Sequence, residues 1–224
     1  MNMRNIAIIP ARGGSKRFPE KNIRLLGELP LLVHSIRYAL ENSELIDEVY
    51  VSTDNLIIKN IALDNGAKVI DRPTFLSGDF EPTVSALKHV LESIHQEVEN
   101  VILLQPTNPL RPHDLLKQAF KEYQNENRNS LFTVSRNHLK FGKIDNKKFI
   151  PFNYKIGQRS QDLEPLFYEN GLLYISKAKL ILENKIISEN AFPLLVDSIF
   201  ANVDIDTHED FDYAAYLYNK HIKI

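Results

Sequence analysis

A chain of 224 residues with 43% hydrophobic content is long enough for one well-packed core plus an insertion, and a modest total for two independent cores. Its formal net charge of −2 gives no bulk attraction to nucleic acid or to an anionic membrane, so any anion it binds must be held by a local cluster of cations. Cysteine is absent, which removes disulfides, thiolate metal sites and a cysteine nucleophile together. With no charged-then-apolar leader and no long apolar run, the expected address is the cytoplasm and the expected partner a small molecule.

In chain order, strands are expected over residues 5–9, 48–52, 68–70 and 100–104, separated by segments of helical periodicity. The first strand runs into a turn crowded with cations, Arg12-Gly13-Gly14-Ser15-Lys16-Arg17, with Lys21 close behind. Gly13 and Gly14 are free to take positive φ, so successive backbone N–H groups can converge on an anion ringed by Arg12, Lys16 and Lys21. A triphosphate suits such a cradle. The spacing satisfies neither the Walker loop nor the dinucleotide fingerprint, so ATPase and NAD readings weaken.

After the second strand, Ser52-Thr53-Asp54 reads either as the cap of a helix over residues 55–65 or as a polar contact near substrate. Val84, Leu87, Leu91 and Ile94 fall at helical spacing, and so do Leu115, Leu116, Ala119, Phe120 and Tyr123, which predicts two helices packed on the sheet. Parallel strands need crossovers that cover both faces. The expected fold is therefore a doubly wound, mostly parallel α/β domain whose ligands gather at the C-terminal ends of the strands. Gln105-Pro106-Thr107-Asn108-Pro109-Leu110-Arg111-Pro112 cannot be helical and reads as a rigid loop at that edge.

From about Arg136 the rhythm changes, with a loop expected over residues 158–165 and a strand over 168–176, and residues 137–190 read as an inserted arm within a single domain spanning 1–224. Its Phe141, Phe149, Phe152 and Tyr154 would be awkward on a monomer. The chain then returns to a sheet-like stretch over residues 199–205 and closes with a helix capped by Thr207, with Asp210 in its first turn and Phe211, Ala214, Ala215 and Tyr218 on one face. Within that stretch Asp204-Ile205-Asp206 is the second decisive feature. In a strand, i and i+2 point the same way about 6 to 7 Å apart, so both carboxylates can face one hard cation such as Mg²⁺ or Mn²⁺ while Ile205 turns inward.

Pro10-Ala11-Arg12-Gly13-Gly14-Ser15-Lys16 with the following Pro19-Glu20-Lys21-Asn22 resembles the signature of the cytidylyltransferases that activate nonulosonic, sialic-type acids. Further resemblances are Asp71-Arg72-Pro73 with Leu76-Ser77 and Asp79, the Gln105 loop, Gln158-Arg159-Ser160-Gln161-Asp162, Tyr168-Glu169-Asn170-Gly171 and Val203-Asp204-Ile205-Asp206. The chain departs from the family pattern at Arg17, where glycine is usual, and at Ser160, where a second arginine is usual. The resemblance implies a Rossmann-like, GT-A-like nucleotidyltransferase fold with a dimerisation arm at 137–190. It also implies transfer of CMP from CTP to the anomeric hydroxyl of an N-acylneuraminate-type nine-carbon acid, with release of pyrophosphate.

It further implies roles for individual residues. Lys16, Lys21 and Asp206 would be catalytic, and Ala11, Arg12, Gly13, Gly14, Ser15, Asn22 and Arg72 would bind the nucleotide. Gln105, Arg159 and Tyr174 would bind the sugar, and Asp204 and Asp206 the metal. A homodimer is implied as well. The Gln105 loop lacks the Gln-Gly-Asp-Glu-Pro run of enzymes acting on the eight-carbon acid KDO, which makes KDO the lesser candidate. The rival readings are a guanylyl- or cytidylyltransferase for legionaminic or pseudaminic acid, a metal-dependent Asp-x-Asp glycosyltransferase, and a catalytically silent nucleotide binder.

Overall fold

The computed structural model describes residues 4–222. Its central strand, β1 (Arg4–Pro10), is apolar without alternation because both faces are covered. Ala7 and Ile9 sit in one core and Ile6 and Ile8 in another, the pattern of a strand sandwiched between helix layers. A small hairpin of β2 (Leu25–Leu26) and β3 (Leu29–Pro30) leads into α1 (Leu31–Glu41), followed by β4 (Glu48–Thr53), α2 (Leu56–Asp64), β5 (Lys68–Asp71), α3 (Thr83–Ser93), β6 (Val98–Leu103) and α4 (Leu115–Asn125). The second half contributes β7 (Ser130–Asn137), β8 (Gly142–Asp145), β9 (Lys148–Pro151), β10 (Leu166–Lys177), α5 (Ala178–Leu182), β11 (Phe192–Leu195) and α6 (His208–His221).

Seven strands form one sheet in the order β11-β7-β10-β6-β1-β4-β5. The pairs β6–β1, β1–β4, β4–β5 and β11–β7 are parallel, and β10 runs antiparallel to both its neighbours. Leu32, Ile36, Leu116 and Phe120 of α1 and α4 pack on one face; Leu87, Val90 and Ile181 of α3 and α5 pack on the other. The doubly wound, mostly parallel α/β architecture expected from the sequence is what forms. A third core joins α6 to the β2–β3 hairpin through Phe18, Leu26, Ala214 and Leu217, and so brings the two ends of the chain together.

Three local expectations need correction. The helix over 56–64 is capped by Asn55, whose side chain accepts from the N–H groups of Ile57 and Ile58, rather than by Ser52, Thr53 or Asp54. The stretch 199–205 is not a strand. Ser198 accepts from the Phe200 N–H and starts a short 3₁₀ turn, Ile199–Asn202, and the residues after it pair with no ladder. Their alternation of buried and open positions reflects insertion of Val203 and Ile205 into the third core, with the Ile205 N–H satisfied by the Thr107 carbonyl at 2.9 Å.

Finally, of the stretch 137–190 read as an insertion, β10 lies inside the main sheet and α5 packs on it. What leaves the sheet is residues 138–165, built on the β8–β9 hairpin. The strand expected over residues 168–176 does form, as the body of β10, but in the main sheet rather than in an arm.

Candidate active site

The loops that follow β1, β4, β5 and β6 meet at the C-terminal edge of the sheet, where open α/β folds bind ligands. Ala11 continues β1 with its N–H on the Ser52 carbonyl at 3.0 Å. Arg12 then turns across the edge to the loop after β5, donating to the Ser77 carbonyl at 3.2 Å and pairing with Asp79 at 2.9 Å. Lys16 pairs with the other oxygen of Asp79 at 2.5 Å, and together the two cations hold that carboxyl below its usual range. Asn22 is buried and donates to the Arg12 carbonyl at 2.9 Å, which fixes the bend of the loop.

The glycine pair works differently from expectation, since neither Gly13 nor Gly14 is among the glycines at positive φ. Gly13 is required for closeness instead. A Cβ there would meet the Asn55 side chain at 2.8 Å, whereas one on Gly14 would meet open space. The Gly13 N–H donates to Asp54 at 2.9 Å, so Asp54 serves the turn rather than the helix behind it.

Lys21 lies in a tight 3₁₀ turn entered through Glu20 at φ 58°. Its ammonium donates to the Ile205 carbonyl and to Asp206, both at 2.8 Å, while Arg17 reaches the other oxygen of Asp206 at 2.6 Å. Residues almost 190 apart in sequence are thereby joined. Asp204 stands beside Thr107; crowding by protein atoms, then the neighbouring Asp206 charge, pushes its carboxyl above the ordinary range. The two carboxylates are near enough for the Asp206 charge to act on Asp204, and they are placed by the buried anchors Val203 and Ile205 rather than by a strand.

Arg72 is buried, with its Nε on the Ser52 hydroxyl at 3.0 Å and its Nη2 on the Ser52 carbonyl at 2.5 Å, and burial pulls its pKa down to about 10. Gln105 opens the proline-rich loop. That loop is pinned by Arg111, a buried guanidinium that donates to the carbonyls of Leu172 and Gln105 and to the Ser35 hydroxyl, at 2.7, 2.8 and 2.9 Å. Asn108, fully buried, donates to the carbonyls of Asn170 and Val203 at 3.2 and 2.8 Å, tying the loop to β10 and to the acidic segment at once. Gly171, at φ 77°, is where a Cβ would strike Asn108 at 2.8 Å, so this turn of β10 admits only glycine.

Two clefts adjoin here. The first, about 230 Å³, is bordered by Arg12, Ser15, Lys21, Arg72, Asp79 and Gln105. The second, about 380 Å³, shares Pro82, Thr83 and Gln105 with it and extends between Val84, Leu103, Tyr174, Ile186 and Ile187. Of the sequence-derived site residues, Arg12, Ser15, Lys21, Asn22, Arg72 and Gln105 border the first cleft and Tyr174 the second. Ala11, Gly13 and Gly14 form the backbone beside them, Lys16 joins through Asp79, and Asp206 joins through Lys21. Arg159 borders neither. It lies exposed in the 138–165 excursion and pairs with Asp162 at 2.7 and 2.9 Å.

Sequence reasoning left Asp79, Arg111 and Glu169 without roles and treated Arg17 as a departure from pattern. Only long-range pairing reveals them, although the isolated Leu110-Arg111-Pro112 between prolines was a cue that a charged side chain had turned inward.

A family model described as cytidylyltransferase matches residues 6–223. The chain belongs to the cytidylyltransferase family. It is 37% identical to a CMP-N,N′-diacetyllegionaminic acid synthase of Legionella pneumophila over 93% of each chain. It is 34% identical to a pseudaminic acid cytidylyltransferase of Campylobacter jejuni, over 96% of this chain and 97% of that one. Among solved structures, a CMP:2-keto-3-deoxy-manno-octonic acid synthetase complexed with CTP superposes with a TM-score of 0.72 at 16% identity, covering 98% of this chain and 100% of that one; at that identity the likeness is one of fold. The family read from the sequence is thus borne out. No helix among the described residues of this cytidylyltransferase is long and apolar enough to cross a membrane.

Proposed function

We propose that this cytidylyltransferase transfers CMP from CTP to the anomeric hydroxyl of a nine-carbon 2-keto sugar acid, releasing pyrophosphate. The observation that carries the reading is the Lys21 ammonium, held at 2.8 Å from both the Ile205 carbonyl and Asp206 at the border of the first cleft. It joins the cationic N-terminal loop to the acidic pair, so charges of both signs meet where a polyphosphate and its counter-ion would lie.

In this reading the first cleft holds the nucleotide. Arg72, oriented by Ser52, faces the base, while Arg12, Ser15, Lys16 and Lys21 take the phosphates. Arg12 and Lys16 exchange Asp79 for phosphate oxygens, and Lys21 offsets the charge that grows on the departing pyrophosphate. The second cleft takes the acceptor, with Gln105 at the junction and Tyr174 at the far wall. No covalent intermediate is needed, because positioning and charge stabilisation supply most of the acceleration in phosphoryl chemistry.

Asp204 and Asp206 suit a divalent cation, Mg²⁺ or Mn²⁺. Mg²⁺ is commonly held by one or two carboxylates with substrate phosphates completing the shell, and the raised carboxyl of Asp204 is a group that a nearby cation would relieve. When bound, the ion would offset charge on the triphosphate and make the attacking hydroxyl more acidic.

Arg159 is the candidate for the acceptor carboxylate, a pairing suited to a bidentate guanidinium. Because it borders neither cleft of its own chain, this role fits best with delivery from a second copy. The excursion exposes Phe141, Ile144, Phe149, Phe152 and Ile156, an apolar surface suited to a homodimer contact. The lack of cysteine and the use of CTP support a cytoplasmic address.

Similarity to the legionaminic and pseudaminic enzymes favours a second reading of the acceptor, one bearing two acylamino groups rather than an N-acylneuraminate. Pyrophosphate release measured over CTP, GTP, ATP and UTP crossed with eight- and nine-carbon 2-keto acids tests both readings. Release specific to CTP and to one nine-carbon acid is expected. Preference for GTP, or for the eight-carbon acid, would overturn the nucleotide or the acceptor assignment respectively.

A further inference from the structure

The second cleft contains a carboxylate that the reaction scheme above does not use. In β10 the step from Glu169 to Tyr174, five residues, faces a step of only two on β7, from Val134 to Phe132. The surplus residues are folded into the turn at Asn170 and Gly171. Asn170 locks that turn: its side-chain Oδ1 accepts from the Thr133 hydroxyl at 2.6 Å and its Nδ2 donates to the Ser135 hydroxyl at 3.0 Å. A bulge of this kind re-aims side chains, and here it brings Glu169 back over Tyr174, so that the phenol donates to Glu169 Oε1 at 2.5 Å.

Both residues border the second cleft. Among the described residues no cation pairs with Glu169, and Tyr174 is its hydrogen-bond partner. Burial, then Glu169 itself, then the charge of Asp204 push the Tyr174 hydroxyl well above its usual range, so the proton stays on the phenol and Glu169 keeps its role of acceptor. One carboxylate oxygen is thus immobilised and the other left for a ligand.

A carboxylate in this place repels another carboxylate and welcomes an N–H or O–H donor. The remaining wall sets the polar Thr83, Gln105 and Asn184 beside an aliphatic part, Val84, Leu103, Ile186 and Ile187, and that aliphatic part suits a methyl or short acyl chain better than a hydroxyl. A group that offers an N–H and an apolar tail side by side is an acylamino substituent. We infer that Glu169, held by Tyr174, is a specificity residue that accepts the N–H of an acylamino group on the acceptor and turns the acceptor's own carboxylate away from this end of the cleft. This rests on the acceptor reading of the second cleft, and deepens it.

The test compares an acetamido-bearing nonulosonic acid with its deaminated, hydroxyl-bearing counterpart in wild type, Glu169→Gln, Glu169→Met and Tyr174→Phe, following pyrophosphate release from CTP. Loss of a charge-assisted hydrogen bond predicts that Glu169→Met lowers kcat/KM for the acetamido acid by about tenfold or more, and that the preference over the deaminated acid falls by a similar factor. Glu169→Gln, which keeps a carbonyl acceptor, should lie between, and Tyr174→Phe should lose a few-fold by freeing the carboxylate. CTP affinity, measured separately by calorimetry, reports whether each variant has folded. If all variants bind CTP and retain the wild-type acetamido preference, the inference is wrong. If wild type itself releases no pyrophosphate with any acid, it is the acceptor reading that fails.

Discussion

The two clefts are built on opposite principles although they share a wall. The first is polar and assembled from the loops of the first half of the chain, with ion pairs at its border, Arg12 and Lys16 on Asp79, and with Lys21 linking it to Asp206 of the C-terminal segment. The second sets aliphatic side chains beside one carboxylate, one phenol and the uncharged polar Thr83, Gln105 and Asn184, and is assembled from the middle and the β10 bulge. A polyphosphate is recognised by charge, which many arrangements of a few cations can supply. A sugar acid is recognised by shape and by individually placed donors and acceptors, so the second cleft depends on exact register. Substitutions should therefore act differently in the two places.

The largest effect is expected at the junction of the N-terminal loop with the acidic pair. Lys21→Met should lower kcat by roughly two to three orders of magnitude, with acceptor KM little changed, in steady-state pyrophosphate release. A loss confined to KM for CTP would show that Lys21 only binds. Next in size, Asp204→Asn should reduce turnover strongly yet leave the metal-free protein at least as heat-stable as wild type at neutral pH. The reason is that a carboxyl pushed up by crowding and by Asp206 opposes folding while it is charged. Thermal melting below the wild-type midpoint would contradict that view of the pair.

A smaller and more selective change is expected at Arg72. Arg72→Lys keeps the charge but cannot reproduce the two bonds to Ser52, so KM for CTP should rise about tenfold while acceptor KM stays within a factor of about two. Equal rises for both substrates would mean that the clefts are not energetically separable. The smallest effect belongs to Asp79, an exposed carboxylate that shares its two partners with the incoming phosphates. Asp79→Asn should lower KM for CTP by about two- to threefold at low salt and by less at high salt, because exposed pairs are weak and screened. A higher KM would mean that Asp79 contacts substrate rather than competing with it.

The same contrast explains what the sequence could disclose. β1 was legible because Ile6-Ala7-Ile8-Ile9 has no solvent face, and the cationic turn after it was legible because Arg12, Lys16, Arg17 and Lys21 crowd a short stretch. Thr207 with Asp210 announced the start of α6, and the reciprocal capping box is formed. The acidic pair was found, but its setting was misread, since Val203 and Ile205 alternate inward like strand residues while belonging to the α6 core. Gly13 was noticed for its freedom of φ, whereas its need is room beside Asn55.

The second cleft was legible only where the family resemblance pointed, at Gln105 and Tyr174. Glu169 and Tyr174 meet only through a bulge that no periodicity shows, and Arg111 grips carbonyls contributed by Gln105 and by Leu172, a strand 61 positions away. Hydrogen bonds to backbone carbonyls leave no mark in residue type. A strand over residues 168–176 was legible and forms the body of β10, but its place in the main sheet was not, because Leu166 to Glu169 lie mostly open beside the 138–165 excursion and only the second half carries the apolar run of a buried strand.

The central claim, that the N-terminal cations and the C-terminal carboxylates act as one site, is tested most directly by single-turnover transfer of α-labelled CMP from CTP to the preferred acid, comparing wild type with Asp206→Asn. Labelled CMP-sugar should form in wild type at a rate at least about a hundredfold above the variant, with both proteins binding CTP and melting within a few degrees of each other. Transfer by Asp206→Asn at the wild-type rate would contradict the account.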